Sequence, residues 1–267
     1  MQIPKNPLAL FLSHGAGPLP MLGDTGHKEL VEALSVIATS IKKPSAMVVI
    51  SAHWEDNVAA VTHQVRPPMI YDYHGFPKEA YEFQYPAPGA LELAERVYAA
   101  LNANRIETRL DAQRGFDHGL YIPMMLMYPN ADIPCMQVSL FNSLNPAEHI
   151  RIGEALSEVA KDGVLIVGSG FSFHNMAAFF AKDTPESRAM NQSFENWLID
   201  TCTSHAIDEE ERFNRLVHWE DAPSARYCHP REEHLLPLHV CFGAAKRPAS
   251  AVLQLSIINK KASMYLW

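Results

Sequence analysis

Residues 46–54 read AMVVISAHW. Met47, Val48, Val49 and Ile50 follow one another without a polar break, three of them are β-branched, and Pro44-Ser45 bounds the run. A strand with one wet face would alternate apolar and polar residues, so this run predicts a strand buried on both faces. Such strands belong to sheets covered by helices on either side. The pattern recurs in LALFLSHG (8–15) and GVLIVGSG (163–170), and the segments between show helical periodicity. The fold class expected is therefore α/β: a central, mostly buried sheet flanked by helices in a single catalytic domain spanning 1–267.

Further strands are predicted at 57–63, 105–110, 133–140 and 250–258, the last closing the chain. Helices are predicted at 25–42, 91–104, 119–128, 146–160, 185–203, 208–217 and from about 237 to 245. The stretch 64–88 holds prolines at 67, 68, 77, 86 and 88 and reads as a long loop, of the kind that carries function rather than merely connecting elements.

Composition narrows the function. The 267 residues carry a formal charge of −8 with no basic tract longer than a pair, which argues against nucleic acid or an anionic membrane as partner. No apolar run approaches a membrane span or the core of a signal peptide. The four cysteines lack CxxC spacing and read as reduced thiols, the expectation for a cytoplasmic protein. The oligomeric state is left open.

The 13 histidines say most. His14 and His53 each directly follow a buried run, and His174 follows the third after two glycines. Ligands collect at the carboxyl ends of strands in α/β sheets, so three histidines there point to a shared site more than to three unrelated structural residues. Small neighbours around His14 and the absence of an ionic partner beside it or His53 leave the rings available to a metal, and imidazole suits zinc, iron, copper or nickel alike. In RGFDHG (114–119), one reading has Asp117 cap a helix with His118 incidental, and the other makes His118 an acid or base beside a bound substrate. Ser169 lies in GSG, which is not the G-x-S-x-G elbow; no Walker A, G-x-G-x-x-G or HExxH pattern is present.

The stretch HPREEHLLPLH (229–239) offers three more histidines and two glutamates. Pro230 and Pro237 forbid one continuous helix, so the main helix should start near Pro237 with His234 in the turn before it. His239 is then a packing residue, and His229 a substrate contact beside the site. Tyr71 and His74, in the aromatic loop, are expected at the pocket mouth.

In order and spacing, LSHGAGPLP, ISAHW, YDYHGFP, GFDHG, FHNM and HPREEHLLPLHVCFGAA resemble the 4,5-DOPA-type extradiol dioxygenases of the class III (LigB-type) superfamily. The resemblance runs from about residue 10 to 258. It implies a mononuclear metal at one end of the sheet, with ligands His14, His53 and His234, His174 as acid–base residue and His118 as a second catalytic or orienting histidine. The superfamily's usual set is two histidines and a carboxylate, and Glu232 and Glu233 supply that choice, but the DOPA-type branch implies His234. Tyr121 stands where the family often has Trp. The implied cofactor is Fe(II), with Zn2+ as a possible occupant of a preparation, and the implied reactants are a small catechol and O2, giving a muconic semialdehyde-type product. Two other readings stand beside it: a zinc-dependent hydrolase or amidase on the same scaffold, and a non-catalytic, Memo-like binding protein.

Overall fold

The computed structural model describes residues 2–267. One eight-stranded mixed sheet forms the centre, built from β1 (Ala9–Ser13), β2 (Ala46–Asp56), β3 (Ala59–Thr62), β4 (Thr108–Asp111), β5 (Cys135–Phe141), β6 (Val164–Gly170), β7 (Ala251–Ile257) and β8 (Lys260–Leu266). The spatial order is β4-β3-β5-β2-β6-β1-β8-β7. The inner four strands, β5, β2, β6 and β1, run parallel, while β3 opposes β5 and β8 opposes β1. Residues 9–12, 47–50 and 164–167 are all buried, as expected of strands covered on both faces.

Among the described residues, nine α-helices accompany the sheet: α1 (Lys28–Ser40), α2 (Leu91–Ala103), α3 (His118–Met127), α4 (Pro146–Ser157), α5 (Met176–Phe180), α6 (Pro185–Thr203), α7 (Glu209–Val217), α8 (Ala225–Cys228) and α9 (Leu236–Ala245). Side chains alternate across a strand, and β6 shows which helices cover which face. Gly168 and Gly170 turn toward the start of α9, where a Cβ on Gly170 would lie 2.1 Å from the His234 carbonyl oxygen. Ser169, between them, turns the other way and bonds the Gly119 carbonyl of α3. That carbonyl is available for a reason. Its normal helical donor would be the N–H of residue 123, and Pro123 has none.

Two departures from expectation concern the ends of elements. β2 runs past His53 to Asp56, because its pairing with β5 breaks: β2 advances from Ile50 to Glu55 while β5 advances only from Val138 to Leu140. The surplus residues bulge, with His53 among them. The chain also does not close with the strand at 250–258. It turns at Ile258 and Asn259, which have φ of 49° and 61°, and returns as β8 between β1 and β7. Among the described residues no helix is long and apolar enough to cross a membrane. Cys135, Cys202, Cys228 and Cys241 are buried free thiols.

Candidate metal centre and active site

The carboxyl ends of β1 and β6, the β2 bulge, the start of α3 and the turn before α9 meet around one cavity of about 470 Å³. His14, His53, His118, His174 and His234 all line it. His14, His53 and His234 bring ring nitrogens within 4.8 Å of one another.

Hydrogen bonds fix the tautomers of two of these rings. Ser169 has one hydroxyl proton, and the Gly119 carbonyl, which can only accept, takes it. His14 Nδ1, 3.0 Å from the same oxygen, must therefore be the donor, which leaves a lone pair on Nε2. His234 Nδ1 donates to Glu233 Oε1 at 2.8 Å, again leaving Nε2 bare. His14 Nε2 stands 3.0 Å from His53 Nε2. Two nitrogens each about 2.1 Å from one ion and at right angles are also about 3 Å apart, so the donor set fits a single small cation. Burial pushes His14 and His53 well below the ordinary histidine pKa, and the neighbouring imidazoles push the same way. Burial, with His174 beside it, pushes His234 down to about 3 in spite of Glu233. These are neutral imidazoles, the form that binds metal.

His53 is held by the bulge that carries it. Its N–H donates to Ser51 Oγ at 3.2 Å, and its carbonyl accepts from Arg114 Nη2 at 3.2 Å. The Arg114 guanidinium lies over the Trp54 ring at 4.6 Å. Asp117, fully buried, ties this region together by accepting from Ser51 Oγ, Arg114 Nη2 and Gln137 Nε2. It makes no side-chain cap on α3, contrary to the sequence expectation. The cap comes from Asp72 in the long loop, whose Oδ1 accepts from the His118 backbone N–H at 3.1 Å and from His118 Nδ1 at 2.8 Å. Burial opposes ionisation of Asp72, but the His118 bonds prevail and hold its pKa below the ordinary value.

His118 and His174 flank the triad on different sides. The His118 ring lies 4.0 Å from that of His53, whereas His174 stacks on His234 at 3.4 Å. Each has a carboxylate at Nδ1, since His174 Nδ1 lies 3.3 Å from Glu233 Oε1. Burial works against the Glu233 carboxylate, yet its bonds to His174 and His234 hold it well below the usual range. With Oε1 turned to both Nδ1 atoms, Glu233 braces two histidines at once.

Three expected substrate contacts lie elsewhere. His229 is fully buried between Phe194 and Trp219, and its Nε2 donates to the Ser172 carbonyl at 2.7 Å. That bond ties His229 to the loop leading to His174, and the ring does not reach the cavity although His234 is close in sequence. His74 is exposed at the surface of its loop. Tyr71 spends its hydroxyl on the Phe83 carbonyl at 2.6 Å, and Tyr73 lines the cavity instead. His239 donates to the Leu216 carbonyl, a packing role as expected. Ser169, Asp72 and the bracing role of Glu233 were not recognised from sequence. The spacing of GSG at 168–170 argues against Ser169 as a nucleophile, and nothing in it announces a support for His14.

Similarity to known proteins agrees with this geometry. Residues 8–262 match the family described as the catalytic LigB subunit of aromatic ring-opening dioxygenase. A protein named Dioxygenase tasH from Hapsidospora irregularis is 38% identical, over 88% of this chain and 77% of its own. Proteins named 4,5-DOPA dioxygenase extradiol from Beta vulgaris and Escherichia coli are 36% and 34% identical, covering 91% and 88% of this chain and 88% and 84% of theirs. The crystal structure of an uncharacterized Escherichia coli protein superposes with a TM-score of 0.76 at 28% identity, covering 97% of this chain and 98% of that one. By sequence and by fold, the chain belongs to the LigB family and is an extradiol aromatic ring-opening dioxygenase.

Proposed function

We propose that this protein opens the ring of a catechol beside a hydroxyl-bearing carbon, with both atoms of O2 entering a yellow muconic semialdehyde-type product. The observation that carries the reading is the pairing of two sets of histidines in one cavity. His14, His53 and His234 converge their nitrogens, and His118 and His174 stand beside them, each backed by a carboxylate.

In this reading His14, His53 and His234 would hold Fe(II), which when bound would supply the redox coupling that lets O2 react with a diol. The other chemistry belongs to side chains. His118, with Nδ1–H committed to Asp72, offers Nε2 to a catechol hydroxyl proton, and Asp72 stabilises the imidazolium that results. His174 is the principal acid–base group, oriented by Glu233 and by its stack on His234.

The test is anaerobic reconstitution of the apoprotein with Fe(II), addition of a catechol panel, and admission of O2. Substrate-dependent O2 uptake with a yellow chromophore is the expected result, and a zinc-filled sample should give neither. Failure across the whole panel would remove the proposal.

A further inference from the structure

The cavity wall carries one carboxylate and no cation. Among its described lining residues there is no Lys or Arg, and the single acidic side chain is Asp24. Asp72 and Glu233 lie close by, but their oxygens are turned to histidine Nδ1 atoms. Asp24 Oδ2 accepts from His27 Nδ1 at 2.7 Å, in a pair that carries no positive charge. His27 Nε2 accepts the Ala16 N–H at 3.1 Å, so that nitrogen has no proton, and the one proton of a neutral ring sits on Nδ1. Burial of His27 favours the same neutral form. His27 therefore orients Asp24 without cancelling its charge.

The remaining walls are apolar: Leu19, Phe76, Met176, Phe179, Phe180 and Ile258. Phe180 and Met176 are 85% and 52% exposed, forming an uncovered lip at the cavity mouth. A ring substituent running from the histidines toward the mouth would lie along this apolar surface and within the field of Asp24. An anionic substituent would lose hydration there, find no cation, and meet both Asp24 and a chain of net charge −8.

We infer that the cavity selects catechols whose ring substituent is neutral or cationic and discriminates against those ending in a carboxylate, with Asp24 as the specificity-determining residue. The inference rests on the ring-opening reading of the same site and names its substrate class.

Calorimetric titration of the zinc-loaded protein, in which catechols bind without turnover, tests the inference apart from activity. The probes are dopamine, 4-ethylcatechol and 3,4-dihydroxyphenylpropionate, which differ chiefly in the charge at the end of the substituent. Dopamine and 4-ethylcatechol should each bind at least about tenfold more tightly than the propionate, equivalent to about 1.4 kcal/mol. Asp24→Asn, which keeps an oxygen for His27, should shrink that gap to about threefold or less. Equal or tighter binding of the propionate to the wild-type protein overturns the inference and leaves ring opening standing. An unchanged gap in Asp24→Asn overturns the role of Asp24. Binding of none of the three would overturn both this inference and the ring-opening proposal beneath it.

Discussion

The His174 ring lies flat on the His234 ring, with centroids 3.4 Å apart and planes 12° apart, and Nδ1 of both rings approaches the same oxygen, Glu233 Oε1. One carboxylate thus sets the orientation of a proposed metal ligand and of a proposed proton-transfer group. Glu233→Gln keeps the size of the brace but cannot serve two N–H donors as a charge. Metal affinity in chelator competition should fall about 10- to 100-fold, and turnover of metal-saturated enzyme should fall as well. A variant that loses only one of the two would show that Glu233 serves a single histidine.

The two groups of histidines should separate in mutagenesis. Ala at His14, His53 or His234 is expected to abolish retention of iron after desalting, read by elemental analysis. Ala at His174 or His118 should retain the metal yet lose about 10²- to 10⁴-fold in kcat. His239→Ala should affect neither metal retention nor the acid–base step.

Gly170 permits the turn before α9 to press against β6, and through it the position of His234. In Gly170→Ala the new methyl would sit 2.1 Å from the His234 carbonyl oxygen. The clash should cost about 1–3 kcal/mol, seen as a lower Tm. Metal affinity should drop in parallel, since the displaced atom belongs to the backbone of a proposed ligand.

Glu195 is fully buried behind the loop that leads to His174, accepting from Ser263 Oγ at 2.5 Å. Burial pushes its pKa up to about 7, against the hydrogen bonds from Ser263 and Ser172. The unfolded chain releases this proton near the ordinary glutamate value, before the folded chain does. Below that value the group is neutral in both states and costs nothing. As pH rises from there to about 7 the unfolded state gains, and stability falls, levelling off above pH 7. Glu195→Gln should remove this dependence and stabilise the protein at pH 8 by about 3 kcal/mol, measured by denaturant unfolding at pH 5 and pH 8.

Much of this was legible from residue order. The buried runs around Val48, Leu10 and Ile166 announce a covered sheet, and the histidines after them mark its active end. The prolines at 230 and 237 correctly place His234 in a turn ahead of α9. What stayed hidden depends on contacts distant in sequence. Asp72 caps a helix 46 positions away, and nothing in YDYHGFP singles it out from an ordinary loop carboxylate. β8 was missed because its hairpin turns on Ile258 and Asn259, without the Asn-Gly or Asp-Gly pair that usually signals such a turn. His229 is near His234 along the chain but not at the cavity, because nearness in sequence is not nearness in space. The backbone instead carries it under the Ser172 carbonyl.

The proline in α3 has a reach beyond its own helix. With an alanine at 123, the helix would regain an N–H for the Gly119 carbonyl and should become more stable. The Ser169 hydroxyl, released from that carbonyl, could then point its proton at His14 and let the imidazole carry hydrogen on the wrong nitrogen. Pro123→Ala is thus expected to melt higher and hold metal more weakly, by thermal denaturation and chelator competition. A missing backbone hydrogen works here as a polariser, passed through one serine, that leaves His14 a single way to present its lone pair.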